Sequence, residues 1–376
     1  MKKMISVLAG LLILISVSAY AQERKVETLQ IGASAPDFNL TGVDDKTYTL
    51  ESFKDYRILV IMFTCNHCPT AQAYEDKIIE FVELYRDKGV GFVGISPNSP
   101  NALSLSELGY SDMGDDFEDM KIRVKDKQYN FPYLYDGETQ EVSLQYGPVA
   151  TPHVFIFDEN RKLAYTGRID DTENPYIEPR EKNMQDALDA ILKGSPVAVT
   201  TTKTFGCSVK WAWKDEWKKR LQEEWAKAPV SLDEIDADGI RKLIRNDSDK
   251  LRLINLWATW CGPCVIEFPE LVTIDRMYRG RDFEFISISG DKIGSKEKAL
   301  KFLTKKEASN KNYIFNGDNS YDLIEAVDKD WQGALPYTLL IAPGGEIIYK
   351  VDGIIDPLTV KRKIVDHLGR YYADDN

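Results

Sequence analysis

Positive charge is scarce in this 376-residue chain: 48 lysines and arginines stand against 60 aspartates and glutamates, a net charge of −12. Such a surface repels phosphate backbones, which excludes nucleic acid, DNA included, as an expected partner. Cysteine is sparse as well, with five in the whole chain. A structural disulfide framework belongs to small domains that cannot build a core, and a chain that is 43% hydrophobic can build one. Long apolar runs are missing beyond the N-terminus. Every later run is broken by charge or proline within about a dozen residues, so no integral membrane segment is expected there.

The exception at the start reads as an export signal over residues 1–21. Lys2 and Lys3 precede an apolar run from Ile5 to Val17, and Ala19-Tyr20-Ala21 follows as a cleavage pattern. The run is shorter than the roughly 20 residues that span a bilayer, so cleavage after Ala21 is expected, with an uncleaved anchor as the alternative. Either outcome places the rest outside the cytoplasm, in the periplasm. The length exceeds one ordinary core and suits two domains.

An internal repeat supplies them. Arg57 to Phe63 leads into Cys65-Asn-His-Cys68, an amphipathic stretch to about Lys88, and an apolar run from Val90 to Ile95. Leu251 to Trp257 leads likewise into Cys261-Gly-Pro-Cys264, a helical stretch to about Tyr278, and Phe283 to Ile288. Each copy reads as strand, dithiol, helix, strand. Later, Ala150-Thr151-Pro152 and Ala334-Leu335-Pro336 each open another strand pair. The extra length of the first copy falls in the polar loop from Ser96 to Asp119. The boundaries are 29–193 for the first domain, 194–228 for a linker and connecting helix, and 229–376 for the second. The tryptophans between Trp211 and Trp225 suggest a sugar-binding face or, preferably, a helix packing its aromatic side onto a domain.

The run Trp257-Ala-Thr-Trp-Cys-Gly-Pro-Cys264, continued as Val265 to Glu270 with Leu335-Pro336 later, closely resembles the TlpA-like branch of the thioredoxin superfamily. The first copy resembles its redoxin (AhpC/TSA-type) branch through Ile31 to Phe38, Phe53, Phe63-Thr-Cys-Asn-His-Cys-Pro69 and Thr151-Pro152-His153. The resemblance implies an α/β fold of two tandem thioredoxin-like domains, each a central mixed β-sheet flanked by helices. It also implies an extracytoplasmic thiol–disulfide oxidoreductase, a disulfide reductase. Peroxiredoxins carry Thr three residues before the peroxidatic Cys; here Cys65 holds that place before Cys68, which favours a dithiol site over a peroxidase.

Disulfide exchange needs an attacking thiolate and a second thiol to resolve the mixed disulfide, and this spacing at a helix N-terminus supplies both. Helix amides lower the first thiol's pKa, so Cys65 and Cys261 are the expected nucleophiles and Cys68 and Cys264 the resolving thiols. Zinc is the rival use of paired cysteines, but the two pairs lie in separate repeats. No metal and no cofactor other than the redox-active disulfides is expected. His67, directly before the second cysteine, would stabilise thiolate and make the first site the more oxidising. Thioredoxin's buried Asp, six residues before its first Cys, is replaced by Asn255 and Leu59, which leaves Glu267 as the candidate base of the second site; the alternative is a plain helix-N-terminal acid.

The resemblance makes Pro152 and Pro336 cis-prolines that face the dithiols, with Thr151 and Leu335 beside them as substrate-binding positions. Cys207 fits three roles: a buried thiol, an intermolecular disulfide partner, or a third redox Cys reaching the first domain. Expected partners are protein thiol or disulfide substrates and a membrane or periplasmic electron donor. Two other functions compete: a peroxiredoxin-like peroxidase in the N-terminal domain, and a copper metallochaperone in which His153 completes a soft site with Cys65 and Cys68.

Overall fold

The computed structural model describes residues 26–372 apart from residue 318, so the expected signal segment lies outside the described residues. The first unit runs β1 (Asn39–Gly42), β2 (Thr47–Thr49), β3 (Ile58–Phe63), α1 (Pro69–Arg86), β4 (Val90–Ser96), α2 (Phe117–Lys127), β5 (Tyr133–Tyr135) and α3 (Glu141–Tyr146). It continues with β6 (Ala150–Thr151), β7 (His153–Phe157), β8 (Leu163–Gly167) and α4 (Asn183–Leu192). After β9 (Cys207–Ser208) and α5 (Glu216–Lys227), the second unit runs β10 (Asp233–Ile235), α6 (Ala237–Arg245), β11 (Leu251–Trp257), α7 (Gly262–Tyr278) and β12 (Phe283–Ser289). It ends with α8 (Lys296–Lys305), β13 (Lys311–Phe315), α9 (Ser320–Val327), β14 (Tyr337–Ile341), β15 (Ile347–Asp352) and α10 (Pro357–Leu368).

The repeat in the sequence is a repeat in topology. The first sheet is ordered β2-β1-β5-β4-β3-β7-β8 and the second β10-β13-β12-β11-β14-β15. In each, the strand before the dithiol lies centrally, parallel to the strand after the helix and antiparallel to the strand after the proline. Both central strands, Ile-Leu-Val-Ile-Met-Phe in β3 and Leu-Arg-Leu-Ile-Asn-Leu-Trp in β11, are buried along their whole length. That is why they read as continuous apolar runs rather than alternating ones: helices cover both faces of a mixed sheet. The fold is α/β, two thioredoxin-like units in tandem.

The polar insertion after β4 does more than lengthen a loop. Its Leu103 and Leu108 join the core of the second unit beside Leu271, Ile274 and Met277 of α7. Tyr278 donates from its hydroxyl to the Ser111 carbonyl at 2.7 Å, and Arg281 stacks over the ring of Tyr110. The connecting region is not free either. Residues 200–202 bond to Thr166 of β8, and Lys210 is held by Ser99, Asn98 and Gln140. Trp225 of α5 is buried, with Arg276 of α7 over its ring, so this tryptophan packs rather than presenting a sugar-binding face.

Candidate active sites

Where each helix begins decides which sulfur it serves. In the second unit α7 starts at Gly262, so Cys261 is the N-cap; Cys264 donates its backbone N–H to Cys261 Sγ at 3.2 Å. In the first unit α1 starts at Pro69, and the N-cap is Cys68. Proline is favoured at a first helical position, so Pro69 sets the start there. The same two-residue spacing therefore puts opposite cysteines at the N-cap position, where Cys261 makes a side-chain cap bond and Cys68 makes none.

Around the first dithiol, Cys65 Sγ lies 3.0 Å from Thr151 Oγ1, and Cys68 Sγ lies 3.2 Å from the Thr151 carbonyl oxygen, which its neutral thiol form can reach as a donor. The Thr151-Pro152 peptide is cis. From the insertion comes Asp115. It accepts the backbone N–H groups of Asn66 and His67 on one oxygen, at 2.9 and 3.0 Å. Its other oxygen faces His67 Nδ1 at 2.5 Å and accepts from the Asn98 amide at 2.7 Å.

These contacts fix the charges. Burial opposes ionisation of both His67 and Asp115, but their mutual attraction outweighs it, raising the imidazole pKa and lowering that of the carboxyl. Burial also opposes a thiolate at Cys68. Hydrogen bonds from Cys207 and Cys65, the His67 charge and the Ala71 amide overcome it and hold Cys68 well below the usual thiol value. Cys65 goes the other way, pushed up by burial, by its bond to Cys68 and by the Asp115 charge. The sequence reading names Cys65 as nucleophile; in this unit Cys68 stands at the N-cap and is the thiol whose ionisation its surroundings favour.

Cys207 lies in β9, which pairs antiparallel with β6 so that Cys207 is opposite Thr151. Its backbone N–H donates to Cys68 Sγ at 3.2 Å. All three thiols are free.

The second dithiol is a disulfide. Cys264 is fully buried and Cys261 is 5% exposed, yet Trp260 and Ile266 beside them are 68% and 71% exposed, leaving an apolar rim around Cys261. The loop is anchored by Asp291, which accepts from the Thr259 backbone and hydroxyl at 2.8 and 2.7 Å. Glu267 is buried and accepts from Asn255 Nδ2 and from the Ile355 N–H, both at 2.9 Å. Burial raises its pKa against those two donors. The Leu335-Pro336 peptide is also cis.

His153 does not complete a soft metal site. Its Nδ1 accepts from the Val149 N–H at 3.3 Å and its Nε2 bonds Thr166 Oγ1 at 3.0 Å, so both ring nitrogens are engaged. Burial pushes it down to about 3, which keeps it neutral. The donor atoms that do converge belong to Cys65, His67 and Asp115, within 4.8 Å of one another. A metal there would have to break the His67–Asp115 pair. Asp115 and Asn98 were not singled out in the sequence. Both lie in an irregular polar loop far along the chain, and only the acidic run Gly114-Asp-Asp116 marked it.

Two thioredoxin-fold units, each with a helix-capping dithiol against a proline-led strand, define a tandem protein of the thioredoxin superfamily. The chain belongs to the Redoxin family, whose profile matches residues 30–188 and again 226–361. It is similar to the thiol-disulfide oxidoreductase ResA of Oceanobacillus iheyensis, 25% identical over 146 residues that make up 36% of this chain and 61% of that protein. The ResA of Bacillus subtilis is 26% identical over 118 residues, 31% of this chain and 62% of its own. The match thus spans less than two thirds of the length of these relatives. Among solved structures, a hypothetical protein of Sinorhizobium meliloti is 31% identical with a TM-score of 0.44, covering 49% of this chain and 96% of that one. An uncharacterized conserved protein of Geobacillus kaustophilus is 38% identical with a TM-score of 0.42, covering 48% and 92%. Among the described residues no helix is long and apolar enough to cross a membrane.

Proposed function

We propose that this protein is an extracytoplasmic thiol–disulfide oxidoreductase that exchanges disulfides with protein substrates through two unequal dithiols. The observation that carries the reading is the pairing, in each unit, of two cysteines spaced for exchange at a helix N-cap, Cys68 in one and Cys261 in the other. At the second site the apolar rim of Trp260 and Ile266 suits a protein surface rather than a small solute. Cys261 attacks a substrate disulfide there and Cys264 resolves it. At the first site the His67–Asp115 pair favours the Cys68 thiolate and so stabilises the reduced form, which makes that site the stronger oxidant. Secretion and a membrane or periplasmic electron donor complete the proposal and rest on the N-terminal sequence.

Reduction of insulin by the full mature chain, with dithiothreitol as electron source, tests it. Cys261→Ser is expected to abolish most of the rate, and Cys264→Ser to accumulate mixed disulfides with envelope proteins. An insulin rate no higher than dithiothreitol alone, with no trapped partner, sinks the reading.

A further inference from the structure

The first site differs from the second in one respect that the repeat does not explain: the edge of its proline-led segment is already taken. β9 pairs with Ala150 and Thr151 in the position an extended polypeptide would need in order to reach the sulfurs by backbone pairing. Cys65 and Cys68 are 2% and 0% exposed beneath it. The strand is strapped down on both sides. Upstream, Thr202 bonds Tyr165, Arg168 and Thr166. Downstream, the Lys210 carbonyl accepts from Ser99 and Gln140, and its ammonium pairs with Glu107 at 2.5 Å. Gly206 is part of the fit: its φ is +120°, and a Cβ there would meet the Thr151 carbonyl oxygen at 2.1 Å. What this arrangement delivers to Cys68 is a third cysteine, with its backbone N–H 3.2 Å from Cys68 Sγ.

We propose that Cys207 is the built-in substrate thiol of the first site, and that oxidising equivalents entering at Cys65–Cys68 pass on to a Cys68–Cys207 disulfide. This rests on reading the first site as an exchange site. In the step, Cys207 gives up its thiol proton and its sulfur attacks Cys68 Sγ. The Cys65–Cys68 bond breaks as the Cys68–Cys207 bond forms, and the electron pair leaves on Cys65 Sγ, which takes up the proton that Cys207 gave away. One disulfide is consumed and one is made, so no further oxidant is needed beyond the external disulfide that oxidised Cys65–Cys68 in the first place. With the new bond in place, the strap is covalently fixed over the site and the first unit is closed to polypeptide substrates, leaving those to Cys261.

Trypsin separates the outcomes, because Cys65 and Cys68 share the peptide Ile58–Lys77 whereas Cys207 lies in Thr204–Lys210. The full mature chain is reduced, oxidised with glutathione disulfide, quenched in acid, alkylated, digested and examined by mass spectrometry. The expected result is a cross-linked pair of these peptides in the wild type, carrying alkylated Cys65. The cross-link becomes the dominant form in Cys65→Ser and is absent from Cys207→Ser, which retains the disulfide within Ile58–Lys77. Gly206→Ala, which lifts the strand, is expected to lower the cross-link at least tenfold while the Cys65–Cys68 disulfide persists. A wild type that forms Cys65–Cys68 but never the cross-link, with Cys68 and Cys207 both free in Cys65→Ser, overturns this inference alone. A wild type that forms neither disulfide, while Cys261–Cys264 oxidises fully, overturns the exchange reading of the first site together with it.

Discussion

The side-chain amide of Asn255 donates to Glu267 at 2.9 Å, joining the central strand β11 to the helix that carries the second dithiol. Asn255 stands six residues before Cys261, where thioredoxin keeps a buried acid; here the acid is on the helix and the strand supplies its donor. The same Asn255 amide reaches Thr338 Oγ1 at 3.0 Å on β14, so the carboxyl is held from a rigid framework.

That arrangement predicts the consequence of Glu267→Gln. Burial raises the carboxyl pKa, and the two N–H donors only partly offset it, so the group is placed to exchange protons nearer neutral pH than an ordinary glutamate. The variant should slow exchange at the second site by roughly a hundredfold, the low end of general acid–base effects, and lose the acidic limb of its pH profile. Stability should move oppositely. A carboxyl with a raised folded-state pKa gives up stability as pH climbs from its unfolded value through the raised one, and the glutamine variant should not show that loss. An unchanged pH–rate profile removes the proton-transfer role.

A second prediction concerns Asp115→Asn. Without the carboxylate, His67 loses the partner that keeps it charged, and the Cys68 thiolate loses the positive neighbour that offsets burial. Each unit of pKa that Cys68 regains corresponds to about 1.4 kcal/mol, or ~30 mV for a two-electron couple. The variant should be the weaker oxidant, its potential falling in step with that rise. Ultraviolet thiolate absorbance against pH, with glutathione-equilibrated alkylation for the potential, checks both halves; a potential that stays put excludes the pair from tuning the site.

How far the sequence reaches follows from how local each signal is. The dithiols, the strands before them and the proline-led strands are contiguous motifs, and their order repeats, so both units and both cysteine pairs are readable. Which cysteine of the first pair stands at the helix N-cap is not readable from the spacing, because it depends on where α1 begins, and Pro69 moves that start past the second cysteine. Asp115 reaches His67 across 48 positions from an irregular loop, and Cys207 reaches Cys68 across 139. No periodicity encodes such contacts; they are consequences of how the insertion and the strap pack.

His153 gives a prediction on acid stability. It is buried, neutral and held at about 3, so folding must keep a proton off it that the unfolded chain would bind below its usual value near 6.5. The unfolded state binds more protons in that window, hence stability falls as pH drops from about 6.5 toward 3. His153→Gln should reduce the slope of unfolding free energy against pH in that interval, measured by urea titration followed through the tyrosine signal of the first unit. An identical slope in the variant means that other groups set the acid limb.

The last prediction separates the two units. Asp112, buried in the insertion of the first unit, accepts from Arg370 at 2.5 Å and Arg362 at 3.2 Å, both beyond the last strand of the second unit, and faces Arg123 of α2 at 3.8 Å. Burial alone would raise its pKa, but Arg370 and then Arg123 hold it below the ordinary carboxylate value. This stabilisation is present above the unfolded pKa and is lost as pH falls through the folded one. Removing one partner of a buried pair costs about 3–5 kcal/mol because the other charge is stranded. Arg370 and Arg362 keep partial access to water, which lowers the expected cost of Asp112→Ala to ~2–4 kcal/mol. Because the lost contacts bridge the units, the loss should appear as uncoupling: calorimetry of the variant should resolve two transitions where the wild type shows one. Arg370→Lys, which keeps the charge, should retain most of the coupling. A single transition at an unchanged temperature in Asp112→Ala would mean that Tyr278, Arg281 and the leucines of the insertion hold the units together without this carboxylate.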